Sequence, residues 1–450
     1  NTFDNPQKAS TYIYRAFNGD TTSEIDDSLK DNISRVNLLD MMTFDRADFE
    51  KVINVKAKKK IKIESKYKLE KIANIVSYYS SGVTYSKSDV VAEDSHNIIL
   101  TADNITLDNR LEIKKKIHLT NQKELSKDKK LTKNDIFICF SSGSKSHIGK
   151  FAFIDTDLPY YAGGFMGIIR VDNKFVNSKF LYSVLNDSQI RQNIKNLATG
   201  NNINNLSADF KNLYVPLPPL DIQQNIVDEI EEVNKNNTLL QDKQVNSQNQ
   251  IKEIINNCFD EYPKLLISDI STSVEYGTSS KSLKDGTVPV IRMGNIQNGK
   301  IVLKDLVYSN DKNEIKKYML KYNDVLFNRT NSPELVGKVG IYQHNIPAIF
   351  AGYLIRINYI QDKILPLYLV YILNSSKIRN YGFSVMAKSI HQANINGTLL
   401  KNYKIPVPPL TVQQEIVTQI EKLEKQIAEA QAIIDNSKQQ KQEILDKYLK

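Results

Sequence analysis

One phrase occurs twice in this chain. Val215-Pro216-Leu217-Pro218-Pro219-Leu220 leads into Gln223-Gln224, Ile226-Val227 and Ile230-Glu231. Ile405-Pro406-Val407-Pro408-Pro409-Leu410 leads into Gln413-Gln414, Ile416-Val417 and Ile420-Glu421, at a constant offset of 190 residues. Solenoid units repeat every 20–50 residues or so. An offset this long is a whole domain plus a helix. The chain therefore reads as two similar modules, each ending in a proline-stopped strand and a long helix, because proline cannot continue a ladder. The expected fold class is α+β: two mixed α/β domains, long helices forming an intramolecular coiled coil, and a short helical N-terminal segment.

The expected boundaries are 1–60, a helical segment; 61–214, the first module; 215–260, the first spacer helix; 261–404, the second module; and 405–450, the second spacer helix. The modules share landmarks. Asp135-Ile136-Phe137-Ile138 matches Asp324-Val325-Leu326-Phe327, Gly149-Lys150 matches Gly337-Lys338, and Ala162-Gly163 matches Ala351-Gly352. Leu185-Asn186 with Ile190-Arg191 matches Leu373-Asn374 with Ile378-Arg379. Short β-rich runs between turn-formers predict strands, and the stretch from Phe180 to Leu197 predicts a helix pair. The loops differ: Ser141-Ser142-Gly143-Ser144-Lys145-Ser146-His147 stands opposite Asn328-Arg329-Thr330-Asn331-Ser332-Pro333.

Both helices carry a seam with alternating steps of four and three. In the first it runs Ile226, Ile230, Val233, Asn237, Leu240, Gln244, Ser247, Ile251, Ile254 and Cys258. In the second it runs Ile416, Ile420, Leu423, Ile427, Ala430, Ile434, Ser437, Lys441, Ile444 and Tyr448. This is coiled-coil periodicity, and polar residues in the seam weaken it while fixing its register. Asp221 and Thr411 are the expected N-caps, with Gln224 and Gln414 as capping-box partners. The helices are expected to reach about 38 residues, or ~57 Å at ~1.5 Å per residue.

A hydrophobic fraction of 41% and a charged fraction of 25% belong to a globular chain and exclude a disordered one. No apolar run approaches the ~18 residues of a membrane span. The two cysteines, Cys139 and Cys258, stand far apart without metal-ligand spacing, which argues against a disulfide framework and fits a reducing cytoplasm. Ten arginines and fifty lysines give a net charge of +9. A basic balance suits nucleic acid but also suits a solvated surface, so charge needs support from other features.

The two segments at 216–227 and 406–417, each after a β-rich module and before a coiled-coil helix, resemble the specificity subunits of type I restriction-modification systems. Val288-Pro289-Val290-Ile291-Arg292-Met293-Gly294-Asn295-Ile296 resembles an early strand and turn of that family, and Asn104-Ile105 is its counterpart in the first module. The resemblance covers roughly residues 61–450. It implies two target-recognition domains reading the halves of a bipartite duplex DNA target. It also implies that the spacer helices act as a ruler and docking surface for adenine-N6 methyltransferase subunits, with a restriction (nuclease and translocase) subunit as a further partner and a bacterial or archaeal cytoplasm as the setting. Val36-Asn37-Leu38-Leu39-Asp40-Met41-Met42 and Phe49-Glu50-Lys51-Val52-Ile53 are similar to a methyltransferase C-terminal tail, as in single-chain restriction-modification enzymes.

Catalysis is not expected in this chain. Asn5-Pro6-Gln7 fails the Asn/Asp-Pro-Pro-aromatic pattern of amino-methyltransferases, and no Gly-rich loop suited to S-adenosylmethionine follows a strand. That cofactor is expected in the associated methyltransferase, with no metal here. Glu64-Ser65-Lys66 is too short to argue for a nuclease. The competing reading is a coiled-coil interaction scaffold without DNA specificity.

Lysine and arginine should contact phosphates, while arginine on guanine and asparagine or glutamine on adenine should read bases. In the first module the candidates are Ser142, Ser144, Lys145, His147 and Lys150, with Asn201, Asn202 and Asn204. In the second they are Arg292, Asn295, Arg329, Asn331 and Lys338, with Lys388, His391 and Gln392. The expected partner-binding positions on the helices are Ile226, Ile230, Val233, Leu240, Ile251, Ile416, Ile420, Leu423, Ile427 and Ile434.

Overall fold

A computed structural model describes residues 4–30, 33, 35, 62–92, 95–144, 146–198, 206–332, 335–388 and 393–450. The segment matched to a methyltransferase tail lies outside them. The chain divides into two compact units, Asn1–Val233 with Lys438–Lys450, and Asn234–Ser437. Each unit thus takes one module and a portion of both long helices, which run Leu220–Glu261 (42 residues) and Leu410–Leu449 (40 residues).

In the first unit, strand Val76–Ser81 pairs with Met166–Val171, then Ile136–Cys139, then Phe151–Phe153, all antiparallel. The run Ile136-Phe137-Ile138-Cys139 is buried throughout. Successive side chains of a strand point to opposite faces. Ile136 and Ile138 accordingly join the helix-side core, and Phe137 and Cys139 join the core on the other face. A continuous apolar run is what a strand covered on both faces requires. A second sheet, ordered Val90–Val91, Ile117–Leu119, Asn97–Leu100 and Tyr160–Ala162, includes one parallel pair.

The second unit repeats this frame. Ser271–Tyr276 pairs with Leu354–Tyr359, then Asp324–Asn328, then Val339–Tyr342, and the sheet continues to Lys300–Ile301 and Ile296–Gln297. Val325 and Phe327 enter the helix-side core, and Leu326 enters the opposite one. The edge strands even share an irregularity, a register shift between Val76 and Tyr78 and between Ser271 and Ser273. Gly82 and Gly277 follow these strands where no Cβ fits: it would lie 2.1 Å from Gly163 O and 2.2 Å from Phe350 O respectively.

The helix-side cores are completed by both long helices. In the first unit Ile226, Val227 and Ile230 meet Leu445 and Leu449 there. In the second, Ile416, Val417 and Ile420 meet Ile255, Cys258 and Phe259. The pattern advances by the same 190 positions as the sequence repeat.

The seam holds along both helices: its positions are buried or half-buried, while most residues between them are exposed. In the second unit Gln244 Nε2 donates to Ile427 O at 3.0 Å and Gln431 Oε1 at 3.1 Å. In the first, Glu229 accepts from Lys447 Nζ and Tyr448 OH, both at 2.6 Å. The expected caps need correction. The helices begin at Leu220 and Leu410, so Asp221 and Thr411 lie inside the first turn. Gln223 N and Gln413 N donate to Pro219 O and Pro409 O, each at 3.0 Å. Gln224 and Gln414 bond forward, to Asp228 and Thr418.

Candidate nucleic-acid interface

Each module bonds two distant stretches of chain just past its central strand. In the first module Phe140 follows the central strand, and Leu206 N donates to Phe140 O at 2.7 Å. This bond ties Phe140, where the 141–147 loop begins, to Leu206. In the second module Ile395 N donates to Arg329 O at 2.9 Å in the same way. A small sheet ordered Thr330–Asn331, Ala393–Asn394 and Ala387–Lys388 then holds the two segments together.

The candidates from sequence separate into three groups. Ser142 and Ser144 lie on the first loop, where Ser144 N donates to Ser142 Oγ at 3.2 Å and Ser144 Oγ meets Ser146 Oγ at 2.8 Å. His147 is half-buried beside them. Arg329 and Asn331 share the second module's loop base, Asn331 Oδ1 accepting from Ser332 N at 2.8 Å. Arg292 is exposed, with Nη2 on Asp305 O at 2.9 Å. Lys145, Asn201, Asn202, Asn204, His391, Gln392 and the side chain of Lys388 lie outside the described residues.

Lys150 and Asn295 sit elsewhere than expected. Lys150 is 5% exposed, and its Nζ donates to Ala102 O at 2.9 Å and Ile105 O at 2.6 Å. Burial pushes its ammonium below the usual lysine range. It braces the chain around Asn104 and faces away from solvent. Asn295 is also buried: Oδ1 accepts from Arg292 N at 2.9 Å, and Nδ2 donates to Val302 O and Lys304 O at 2.9 and 2.8 Å. Asn104, its counterpart, is fully buried, accepting from Lys114 N and Lys115 N and donating to Lys115 O. The shared Asn-Ile is a turn brace, since buried backbone groups need partners. Lys338 lines a cleft of about 590 Å³ together with Gln248, Lys252 and Arg379 of the same unit.

Arg329 has the most developed setting. Its guanidinium lies 4.8 Å from the Tyr276 ring centroid, a cation–π distance. Nη1 donates to Gly352 O at 3.2 Å, while Nε is buried without a hydrogen-bond partner among the described residues. Tyr276 OH accepts from Gly397 N at 2.7 Å, which holds the ring beneath the arginine. In the first module the same backbone slot holds Phe140, 2% exposed and packed against Tyr79 and Phe210. Tyr276 was missed in the sequence; an aromatic directly before the Gly277 close approach was the available sign. The expected helix contacts divide as well. Ile226, Ile230, Ile416 and Ile420 are buried in the unit cores, while Val233, Leu240, Ile251, Leu423, Ile427 and Ile434 are half-buried along the seam. No described helix is long and apolar enough to cross a membrane.

The family profile described as type I restriction modification DNA specificity domain matches residues 47–250 and again 265–439. The EcoKI specificity subunit of Escherichia coli (strain K12) is 29% identical over 399 residues, 79% of this chain and 83% of that protein. The StySPI specificity subunit of Salmonella potsdam is 27% identical over 376 residues, 76% of this chain and 79% of that one. A chain solved in work on complex assembly and conformational transition of the type I R-M system shares the fold, with a TM-score of 0.56 at 14% identity over 86% of this chain and 98% of that one. The scaffold reading without DNA specificity is not supported by these relationships. With both modules matched and the two-module frame shared, the chain belongs to the type I restriction-modification DNA specificity family, the part of such systems that recognises DNA rather than the part that catalyses.

Proposed function

We propose that each module reads one half of a split duplex target, and that the paired helices carry the methyltransferase that acts there. The observation that carries this reading is one framework with different chemistry in the same slot. Arg329 occupies the backbone position that Phe140 holds in the first module, and the loops that follow differ in their polar groups. A common frame with divergent loop side chains is how one scaffold reads two sequences. Arg329 on Tyr276 is suited to a guanine edge, since its fork matches O6 and N7. Specificity subunits assemble with methyltransferase and restriction subunits. The partners proposed here are an adenine-N6 methyltransferase, which supplies S-adenosylmethionine chemistry, and a nuclease–translocase subunit.

The test is a map of modified adenines across the host genome with and without this gene. Loss of one motif made of two short half-sites around a fixed gap is expected. Survival of every methylated motif in a strain shown to express the protein would overturn the reading.

A further inference from the structure

Matched framework positions in the two modules carry exposed aromatic rings. Phe165 is 72% exposed and Tyr353 is 50% exposed. Their equivalence rests on bonding. Phe140 N and Ser141 N donate to Phe165 O at 3.0 and 3.1 Å, and Arg329 N donates to Tyr353 O at 3.0 Å. Each ring therefore stands where its module's polar loop begins. Phe175, Tyr214 and Tyr322 are exposed as well, but they align with Lys363, Lys404 and Lys133.

The turns that bear the rings are held firmly. Met166 N donates to Gly163 O at 2.8 Å, and Leu354 N donates to Ala351 O at 2.9 Å. Gly163 N is anchored on Leu100 O at 2.9 Å, and Gly352 N on Thr278 O at 2.7 Å. Gly82 and Gly277 pass beneath with no room for a side chain. A single exposed ring needs no explanation. A ring kept at one rigid position in two modules whose neighbouring loops diverge points to a task common to both half-sites.

We propose that Phe165 and Tyr353 are wedges that enter the base stack at the rim of each half-site and seat the duplex against the polar loop. This rests on the reading of the modules as readers of duplex DNA. Every base offers a π-face, so an aromatic contact tolerates any sequence. Apolar wedges between base steps partly unstack and kink a duplex. Specificity stays with the loop, and the ring sets position and bend.

The experiment uses the full chain and duplexes carrying the methylome-defined target, with 2-aminopurine placed at one position at a time. Wild-type protein should brighten the probe at one step in each half-site. Phe165→Ala should remove the first signal and Tyr353→Ala the second, each weakening binding by about 10- to 100-fold. Tyr353→Phe should behave as wild type. Base preference and the salt slope of affinity should stay unchanged, since neither ring carries charge. Thermal melts should match, because both side chains are exposed. The proposal falls if the alanine variants bind and brighten the probe as wild type does. It also falls if either one changes the bases preferred, which would make the ring a base reader. Failure of the wild type to bind the target duplex would instead remove the recognition reading on which the proposal rests.

Discussion

Gln223 and Gln413, 190 positions apart, are both fully buried and make the same three bonds. Gln223 Oε1 accepts from Asn177 N at 2.8 Å, and its Nε2 donates to Phe175 O and Pro218 O at 2.9 and 2.8 Å. Gln413 Oε1 accepts from Leu365 N at 2.8 Å, and its Nε2 donates to Lys363 O and Pro408 O at 2.9 and 2.8 Å. Each glutamine ties the first turn of a long helix to the loop that follows Met166–Val171 in the first module and Leu354–Tyr359 in the second.

Gln413→Ala leaves three backbone groups without this partner, and a buried group so stranded costs ~1–3 kcal/mol. We expect a loss of about 2–4 kcal/mol in the second unit, read by urea unfolding. Gln414→Ala, at an exposed neighbour, should change stability by less than about 0.5 kcal/mol.

Lys150 and Lys338 align in sequence yet should respond differently. Lys150→Met should lower stability and leave the salt slope of DNA binding as it was, because the ammonium is bound to Ala102 O and Ile105 O. Lys338→Ala should keep the fold and reduce that slope by about one unit, the change expected for one lost phosphate contact. Titrations at several salt concentrations separate the two.

Arg329→Ala should relax base preference in one half-site only and cost about 1–3 kcal/mol in discrimination there. Tyr276→Ala should weaken the same half-site by loosening the arginine's seat, with the other half-site unaffected. A binding selection over randomised half-sites reports both.

Burial pushes the Cys139 thiol from 9.0 up to about 11. The folded state thus holds its proton where the unfolded chain releases it. The stability this contributes is fully present below pH 9.0 and is lost as pH rises through about 11. Cys139→Ala should flatten the alkaline fall in stability between those values. At pH 8 the wild-type thiol should resist alkylation until denaturant is added.

The repeat, the helices and the seam were legible because each is a periodic pattern along the chain. The central strands were legible too, since Ile136 to Cys139 and Val325 to Phe327 are apolar on both faces. Gln223 and Gln413 were visible in the repeated phrase but carried no role there; the capping role fell on their neighbours Gln224 and Gln414. Capping offers a partner three residues away, whereas Gln223 and Gln413 reach backbone 46 and 48 residues away across the module. Asn295 and Lys150 failed for a related reason. Polar residues in a Gly-rich stretch read as surface, and only the tertiary course of the backbone shows the carbonyls they satisfy. Phe165 carries no sign of its setting in the sequence: it directly precedes the apolar strand Met166–Val171 and stands in solvent.

The closing of the first unit by Leu445 and Leu449 bears on biosynthesis. Glu229 and its partner Lys447 are 218 residues apart. At ~5–20 residues per second, a ribosome needs roughly 10–45 s between them. For that interval the nascent first module holds an apolar face that its own flanking residues cannot cover. Its integrity depends on how soon translation of the whole second module finishes, so stalling there endangers a domain already made.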